Sequence, residues 1–208
     1  MCSSAMHFEQ LVTPRSLEKL ELFVQILDRW RGITNLISED DFRIVWQRHV
    51  LDSVYLQQQF PSKRRWLDFG SGAGFPGLVL GILLAEDKFT EIHCVESDSR
   101  KCTFLRSAVQ RLRIPVKIHN ARAETLYVGD TGSVEVVTAR AFSSVTDIVC
   151  LSEKYMQDGA IIVLPRGKSS VQEVEALDPN RYTSVVRANP MAGGGIFLQI
   201  QLRTGRRQ

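Results

Sequence analysis

Apolar residues recur at helical spacing early in the chain, and the period then changes repeatedly along it. Leu17, Leu20, Phe23, Val24, Leu27 and Trp30 fall on one face of a 3.6-residue repeat, which predicts an amphipathic helix to about Arg31. Thr13-Pro14 reads as a cap with proline in the first helical position, and Gly32 ends the helix. A short leading helix is expected over 6–12. Ser38 with an acid three residues later, Asp41, has capping-box spacing and opens the next helix, whose apolar face is Phe42, Val45 and Trp46. A further helix is expected from about His49 to Gln58. The polar stretch 61–65 places a boundary between a helical extension, residues 1–60, packing on the core, and a ligand-binding domain, residues 61–208.

Beyond the break, periods of two and 3.6 alternate. Strands are predicted at 91–95, 116–119, 134–138 and 160–164, with helices at 98–112, 144–156 and 168–177 and a closing strand pair at 182–187 and 196–202. Strands alternating with helices of this length predict an α/β fold with a largely parallel sheet covered on both faces. The closing pair would add an antiparallel edge. The basic end, 203–208, is expected to fray.

The stretch from Trp66 to Gly77, WLDFGSGAGFPG, stands at the junction. A short buried strand turns through glycines into an apolar helix over 78–85. Glycine reaches backbone angles closed to other residues and lets a ligand lie against the main chain. A strand, a glycine turn and a helix start form a nucleotide-type pocket. The spacing is Asp-x-Gly-x-Gly-x-Gly, with Asp68 inside the strand end, and not the plain Gly-x-Gly-x-x-Gly of NAD enzymes. An acid there suits the cationic amino group of a methionine moiety and would repel a pyrophosphate, so S-adenosylmethionine is the expected ligand.

Composition narrows the picture only slightly. A chain of 208 residues with 44% hydrophobic and 24% charged residues fits one ordinary globular domain with a modest extension. No apolar run approaches a membrane span, and residues 1–10 lack a signal-peptide pattern, so no membrane association and a cytoplasmic location are expected. The four cysteines form no Cys-x-x-Cys pair, and Cys94 and Cys150, set in apolar runs, are expected to be buried thiols. A net charge of +3 permits an anionic partner without requiring one.

Glu96, ending the second strand, is placed to accept hydrogen bonds from ribose hydroxyls. Arg100 and Lys101 open the following helix, where positive charge opposes the helix dipole, a mismatch that favours an anionic partner over two solvated side chains. Ala123 and Glu124 follow the third strand, in the loop that lies against adenine in such folds. Arg140, past the fourth strand, sits at the carboxyl edge where ligands bind in open α/β sheets, a structural salt bridge being the alternative. Arg166 adds charge to the same rim. His49 and Asp52, three apart, share a helix face. General base, metal ligand and packing histidine are all open for His49; a structural or substrate-positioning role is favoured, and no metal is expected, because no second histidine or cysteine sits at metal spacing.

Taken together these residues resemble the RsmG (GidB) family of bacterial 16S ribosomal RNA guanine-N7 methyltransferases. The matching blocks are Asn35-Leu36, Arg48-His49 with Asp52-Ser53, the loop from Asp68 to Gly77, Glu96 with Arg100-Lys101, Arg122-Ala123-Glu124, and Arg140-Ala141-Phe142. The resemblance implies a Rossmann-like methyltransferase fold and methyl transfer from S-adenosylmethionine to N7 of a guanine in the 530 loop of 16S rRNA. It implies 16S rRNA or the small ribosomal subunit as partner, and a monomeric enzyme. Asp68, Gly70, Gly72, Gly74, Phe75, Glu96, Ala123, Glu124 and Arg140 would bind or border the cofactor, with Arg140 also the catalytic candidate. Arg48, His49, Arg100, Lys101 and Arg166 would face RNA, with Arg140 on the same basic rim.

The chain departs from the family pattern at Trp30-Arg31, where Trp-Asn is usual. It departs again at Leu164-Pro165-Arg166-Gly167, where Leu-Lys-Gly is usual, and at Gly193-Gly194-Gly195, where an arginine is usual. Guanine N7 carries a free lone pair, so alignment and exclusion of water suffice and no acid–base pair is needed. Two rival readings are an NAD(P)-dependent oxidoreductase, against which Asp68 speaks, and a non-enzymatic RNA-binding module.

Overall fold

The computed structural model describes residues 10–189 and 195–203. The expected leading helix lies largely outside these residues, as do Gly193, Gly194 and residues 204–208 of the basic end.

Thr13 caps helix α1 (Pro14–Arg31), its side chain accepting from the Ser16 amide at 3.2 Å, with proline in the first turn. Ser38 caps α2 (Glu39–Arg43) in the same way, accepting from the Asp41 amide at 3.1 Å. The chain then differs from the expected separate helix at His49. A π-helical turn (Trp46–Val50) runs directly into α3 (Leu51–Gln59). The wider turn changes the direction in which Arg48 and His49 project, a device that recurs at functional sites.

Strand β1 (Arg65–Phe69) is followed by α4 (Gly77–Leu83), β2 (Glu91–Glu96), α5 (Ser99–Leu112) and β3 (Val116–Asn120). A 3₁₀ turn (Ala123–Thr125) and short α6 (Val128–Thr131) lead to β4 (Val136–Ala139), α7 (Val145–Met156) and β5 (Ile161–Gly167). A 3₁₀ turn (Lys168–Ser170), α8 (Val171–Glu175), β6 (Tyr182–Ala188) and β7 (Gly195–Leu202) complete the described chain. The sheet order is β3-β2-β1-β4-β5-β7-β6, parallel from β3 to β5 and antiparallel in the last two pairings. The closing pair is therefore not added in sequence order: β7 lies inside, against β5, and β6 is the edge. Arg166 and Gly167 lie beyond the strand end expected at residue 164. They extend β5, opposite Ile196 and Gly195 of β7.

Alternation along β1 divides two apolar layers. Trp66 faces a core shared with Leu20, Phe23 and Leu27 of α1, Leu78 of α4 and Phe104 of α5. Leu67 and Phe69 face a second core, with Val145 and Ile148 of α7. The N-terminal helices thus share one core with the sheet; Phe23 lies against Phe75 with ring centroids 5.3 Å apart, and Trp30 against Phe104 at 6.0 Å. Cys94 is buried as expected, but Cys150 is exposed and Cys102 is buried instead. Ile148, Val149 and Ser152 carry the inward face of α7, which turns Cys150 outward.

A two-cavity candidate active site

Above the carboxyl ends of β1 and β2 the chain closes around a cavity of about 270 Å³ lined by Gly70, Gly72, Glu96, Lys101, Ala123 and Glu124, among others. Gly70 and Gly72 adopt φ of +67° and +49°, the left-handed region that glycine tolerates. A Cβ on Gly70 would lie 2.4 Å from the Phe142 ring, whereas one on Gly72 would meet nothing nearer than the Gly70 carbonyl at 3.7 Å. The loop is tied to β2 by its amides: Gly70 and Ser71 donate to the Val95 carbonyl at 2.9 and 3.1 Å. Glu96, only 7% exposed, accepts from the Gly72 amide at 3.0 Å through Oε2 and from the Asp98 amide at 2.8 Å through Oε1. Asp98 caps α5, accepting from the amides of Arg100 and Lys101, which hold its carboxyl below the usual range.

A second cavity, about 510 Å³, opens on the other side of the β4 exit and is lined by Arg48, His49, Asp52, Arg140, Arg166 and Asn189, among others. The His49 ring stacks on Phe75 at 5.1 Å, and among the described residues neither ring nitrogen has a hydrogen-bond partner. Burial, reinforced by Arg140, pushes its pKa down to about 4, so the imidazole is neutral at pH 7. Asp52 is buried, and its Oδ1 accepts from the Asn189 amide group at 2.8 Å. Burial raises its pKa against the opposing pull of Asn189, Arg140 and Arg48. Arg140 is itself lowered by burial, against the stabilising charge of Asp52. Arg166 donates to the Ser143 carbonyl at 2.7 Å, while its Nε has no partner among the described residues. Ala141 lines both cavities and adopts φ of +47°, which is strained for a residue with a Cβ.

Five of the expected cofactor residues therefore meet in the smaller cavity: Gly70, Gly72, Glu96, Ala123 and Glu124. Four do not line it. Asp68 points from β1 beneath the first turn of α4, fully buried, and a Cβ on Gly77 would lie 2.9 Å from its Oδ2. Among the described residues neither carboxyl oxygen has a partner at full hydrogen-bond geometry; burial pushes its pKa up to about 7, against the opposing pull of the nearby Ser71 hydroxyl and Gly77 amide. Direct contact between Asp68 and a methionine amino group is therefore not what this geometry offers; strand alternation aims the side chain at the helix. Gly74 leaves room for Leu78 and Phe23, and Phe75 is covered by Phe23 and His49.

Arg140 lines the larger cavity. The expected single basic rim also divides: Arg48, His49 and Arg166 line the larger cavity, Lys101 the smaller, and Arg100 lies exposed in the first turn of α5. Asp52 and Asn189 were not foreseen as site residues. Asp52 shares its sequence block with His49, but a solitary asparagine 137 positions away carries no sequence signal.

The fold is similar to solved structures of a SAM-dependent methyltransferase from Aquifex aeolicus (TM-score 0.59, 12% identity, covering 76% of this chain and 92% of that one) and of a mutant of MtNAS in complex with S-adenosylmethionine (TM-score 0.56, 12% identity, covering 90% and 76%). Sheet order and glycine-loop cavity define a Rossmann-like fold, which the S-adenosylmethionine complex of MtNAS shares. The chain is 37% identical to a ribosomal RNA small subunit methyltransferase G of Methylorubrum populi, over 84% of this chain and 83% of that one. It is 34% identical to that of a Chelativorans species, over 91% and 90%. The family model for rRNA small subunit methyltransferase G, GidB, matches residues 16–193, and the chain belongs to that family. The oxidoreductase and non-enzymatic readings fall with this finding.

The residues of the smaller cavity fit the cofactor. Gly72 presents open space where a side chain would intrude, and Glu96 offers fixed carboxylate oxygens at the strand end.

Proposed function

We propose that this chain methylates N7 of a guanine in the 530 loop of 16S rRNA, with S-adenosylmethionine held in the smaller cavity and the guanine in the larger. The observation that carries this arrangement is Ala141, the residue that faces both cavities. Two ligands filling them would meet at the backbone between Arg140 and Phe142.

The bound cofactor supplies an electrophilic sulfonium methyl group. Guanine N7 has a free lone pair, so no side chain must remove a proton. Neutral His49, unpaired and packed on Phe75, gives the base a flat wall without adding charge. Arg140 donates to a polar edge of the base or to its phosphate, and Arg48 and Arg166 hold backbone phosphates, which supply affinity and position. Glu96 and the glycine loop fix the nucleoside end of the cofactor, and the buried walls around Asp52 and Asn189 exclude water. No helix in the described residues is long and apolar enough to cross a membrane.

The test is nucleoside mass spectrometry of 16S rRNA from cells with and without the gene, combined with transfer by the purified protein to small subunits from the deletion strain. The expected result is 7-methylguanosine lost from the 530 loop on deletion and restored in vitro. An unchanged 7-methylguanosine level there, or restoration at another atom, would overturn the proposal.

A further inference from the structure

N7 does not distinguish guanine from adenine, since both purines expose the same lone pair there. Selectivity must come from another edge. Guanine carries two adjacent donors, N1–H and the N2 amino group, on the six-membered ring away from N7; adenine presents an acceptor at N1. A carboxylate matches the guanine pair and repels the adenine lone pair.

The larger cavity contains such a group. Asp52 is 6% exposed and lines the cavity with Arg140 and Arg48. Asn189 donates to Oδ1 at 2.8 Å, and among the described residues Oδ2 has no hydrogen-bond partner. A carboxylate oxygen has two lone pairs, so Oδ1 retains one and Oδ2 both. Asn189 is 5% exposed and comes from the end of β6, so the carboxylate is oriented from outside its own helix. Asp41, the other acid in this cavity, differs: the Ser38 hydroxyl donates to its Oδ2 at 2.7 Å at an exposed helix start.

We infer that Asp52 is the residue that specifies guanine, its carboxylate accepting from N1–H and the N2 amino group, with Asn189 as the positioning residue that fixes its rotation. This rests on the guanine occupying the larger cavity, as proposed above. The alternative role, a counter-ion for Arg140, would make Asp52 indifferent to the N2 amino group.

The experiment compares small subunits reconstituted with guanosine or inosine, which lacks only the N2 amino group, at the target position. For the wild-type protein kcat/KM should fall about tenfold to a hundredfold with inosine, as one lost hydrogen bond to a charged acceptor implies. Asp52→Asn should lower kcat/KM on guanosine subunits by about a hundredfold or more and show no further loss with inosine. Its cofactor affinity by calorimetry should stay unchanged. Should Asp52→Asn not fold, Asp52→Glu serves in its place, the displaced carboxylate losing most of the inosine penalty. Equal wild-type rates on the two substrates, or an inosine penalty that persists in full in the variant, would overturn the assignment while leaving the methyltransferase function standing. No transfer by wild type to guanosine subunits would instead strike the function proposed above, and this inference with it.

Discussion

Glu96 holds the amide of Gly72 at 3.0 Å, joining the end of the second strand to the middle of the glycine loop. The same carboxylate takes the Asp98 amide at 2.8 Å, so one side chain sets both the loop and the start of α5. Glu96→Ala removes the acceptor from two amides. It is expected to cost about 1–3 kcal/mol of stability and to weaken S-adenosylmethionine binding at least tenfold, read by thermal unfolding and calorimetry on one preparation. Glu96→Gln keeps one acceptor oxygen and should recover part of the stability. Unchanged cofactor affinity in Glu96→Ala would remove this residue from the site.

The two glycines nearest the cofactor cavity should respond differently. Gly70→Ala drives a methyl group into Phe142, a 2.4 Å approach, and should lower the melting temperature sharply. Gly72→Ala meets no such obstacle and suffers only the backbone strain of its +49° φ. Its principal effect should be on cofactor affinity, because the added methyl points into open space. A larger loss of stability at Gly72 than at Gly70 would contradict this geometry.

Asp68 should make stability depend on pH. Its folded pKa is raised to about 7 by burial, against roughly 3.9 for an unfolded aspartate. Between these values the folded state keeps a proton that the unfolded chain has released, so this group's contribution falls as pH rises. His49 and His93, both lowered to about 4 by burial, act in the opposite sense as pH rises from there to their unfolded value. The difference between wild type and Asp68→Asn isolates the carboxyl. The advantage of the amide should grow steadily from about pH 4 to pH 7. A difference independent of pH would show that Asp68 is not a buried acid of this kind.

Arg140 has no ion pair within 4 Å among the described residues, and burial lowers its pKa. A structural salt bridge therefore does not account for it. Replacing a desolvated guanidinium with Met should leave the melting temperature unchanged or raise it. Methyl transfer should fall by a factor on the order of ten to a thousand, the loss of one charge-assisted contact. Lysine should restore only part of that rate, lacking the planar fork. A clear drop in melting temperature with turnover per folded molecule intact would return Arg140 to a structural role.

Phe23 links the N-terminal helix to the loop it covers. It is fully buried, 5.3 Å from Phe75, and closes on the space left by Gly74. Phe23→Ala should cost about 3–5 kcal/mol and weaken cofactor binding through a loosened loop. If truncation changed neither quantity, the helices would be independent of the ligand-binding unit.

The glycine loop, Glu96 and the alternation of strands and helices were legible because each depends on local pattern. Gly72 must be free of a side chain, and Glu96 ends a strand whose period is plain. What escaped was set by long-range packing. The placement of β7 between β5 and β6 drew Arg166 into a strand, and no periodicity announces an insertion of that sort. The π-helical turn over Trp46–Val50 was not legible either, because the spacing of His49 and Asp52 fits an ordinary helix. Asp68 carries the motif's signature, yet its direction depends on which face of β1 the helix covers. Asn189 meets Asp52 only through the completed sheet.

Ala141, strained and shared by both cavities, also has a thermodynamic consequence. With cofactor and RNA in the two cavities as proposed, a ligand that shifts this residue in one would alter the wall of the other and so link the two binding equilibria. By reciprocity, whatever factor bound RNA applies to the affinity for cofactor, bound cofactor applies to the affinity for RNA. Demethylated cofactor and methylated RNA obey the same rule with their own factor. The ratio of those two factors would then decide whether turnover begins from a tightly held pair and ends in a loosely held one.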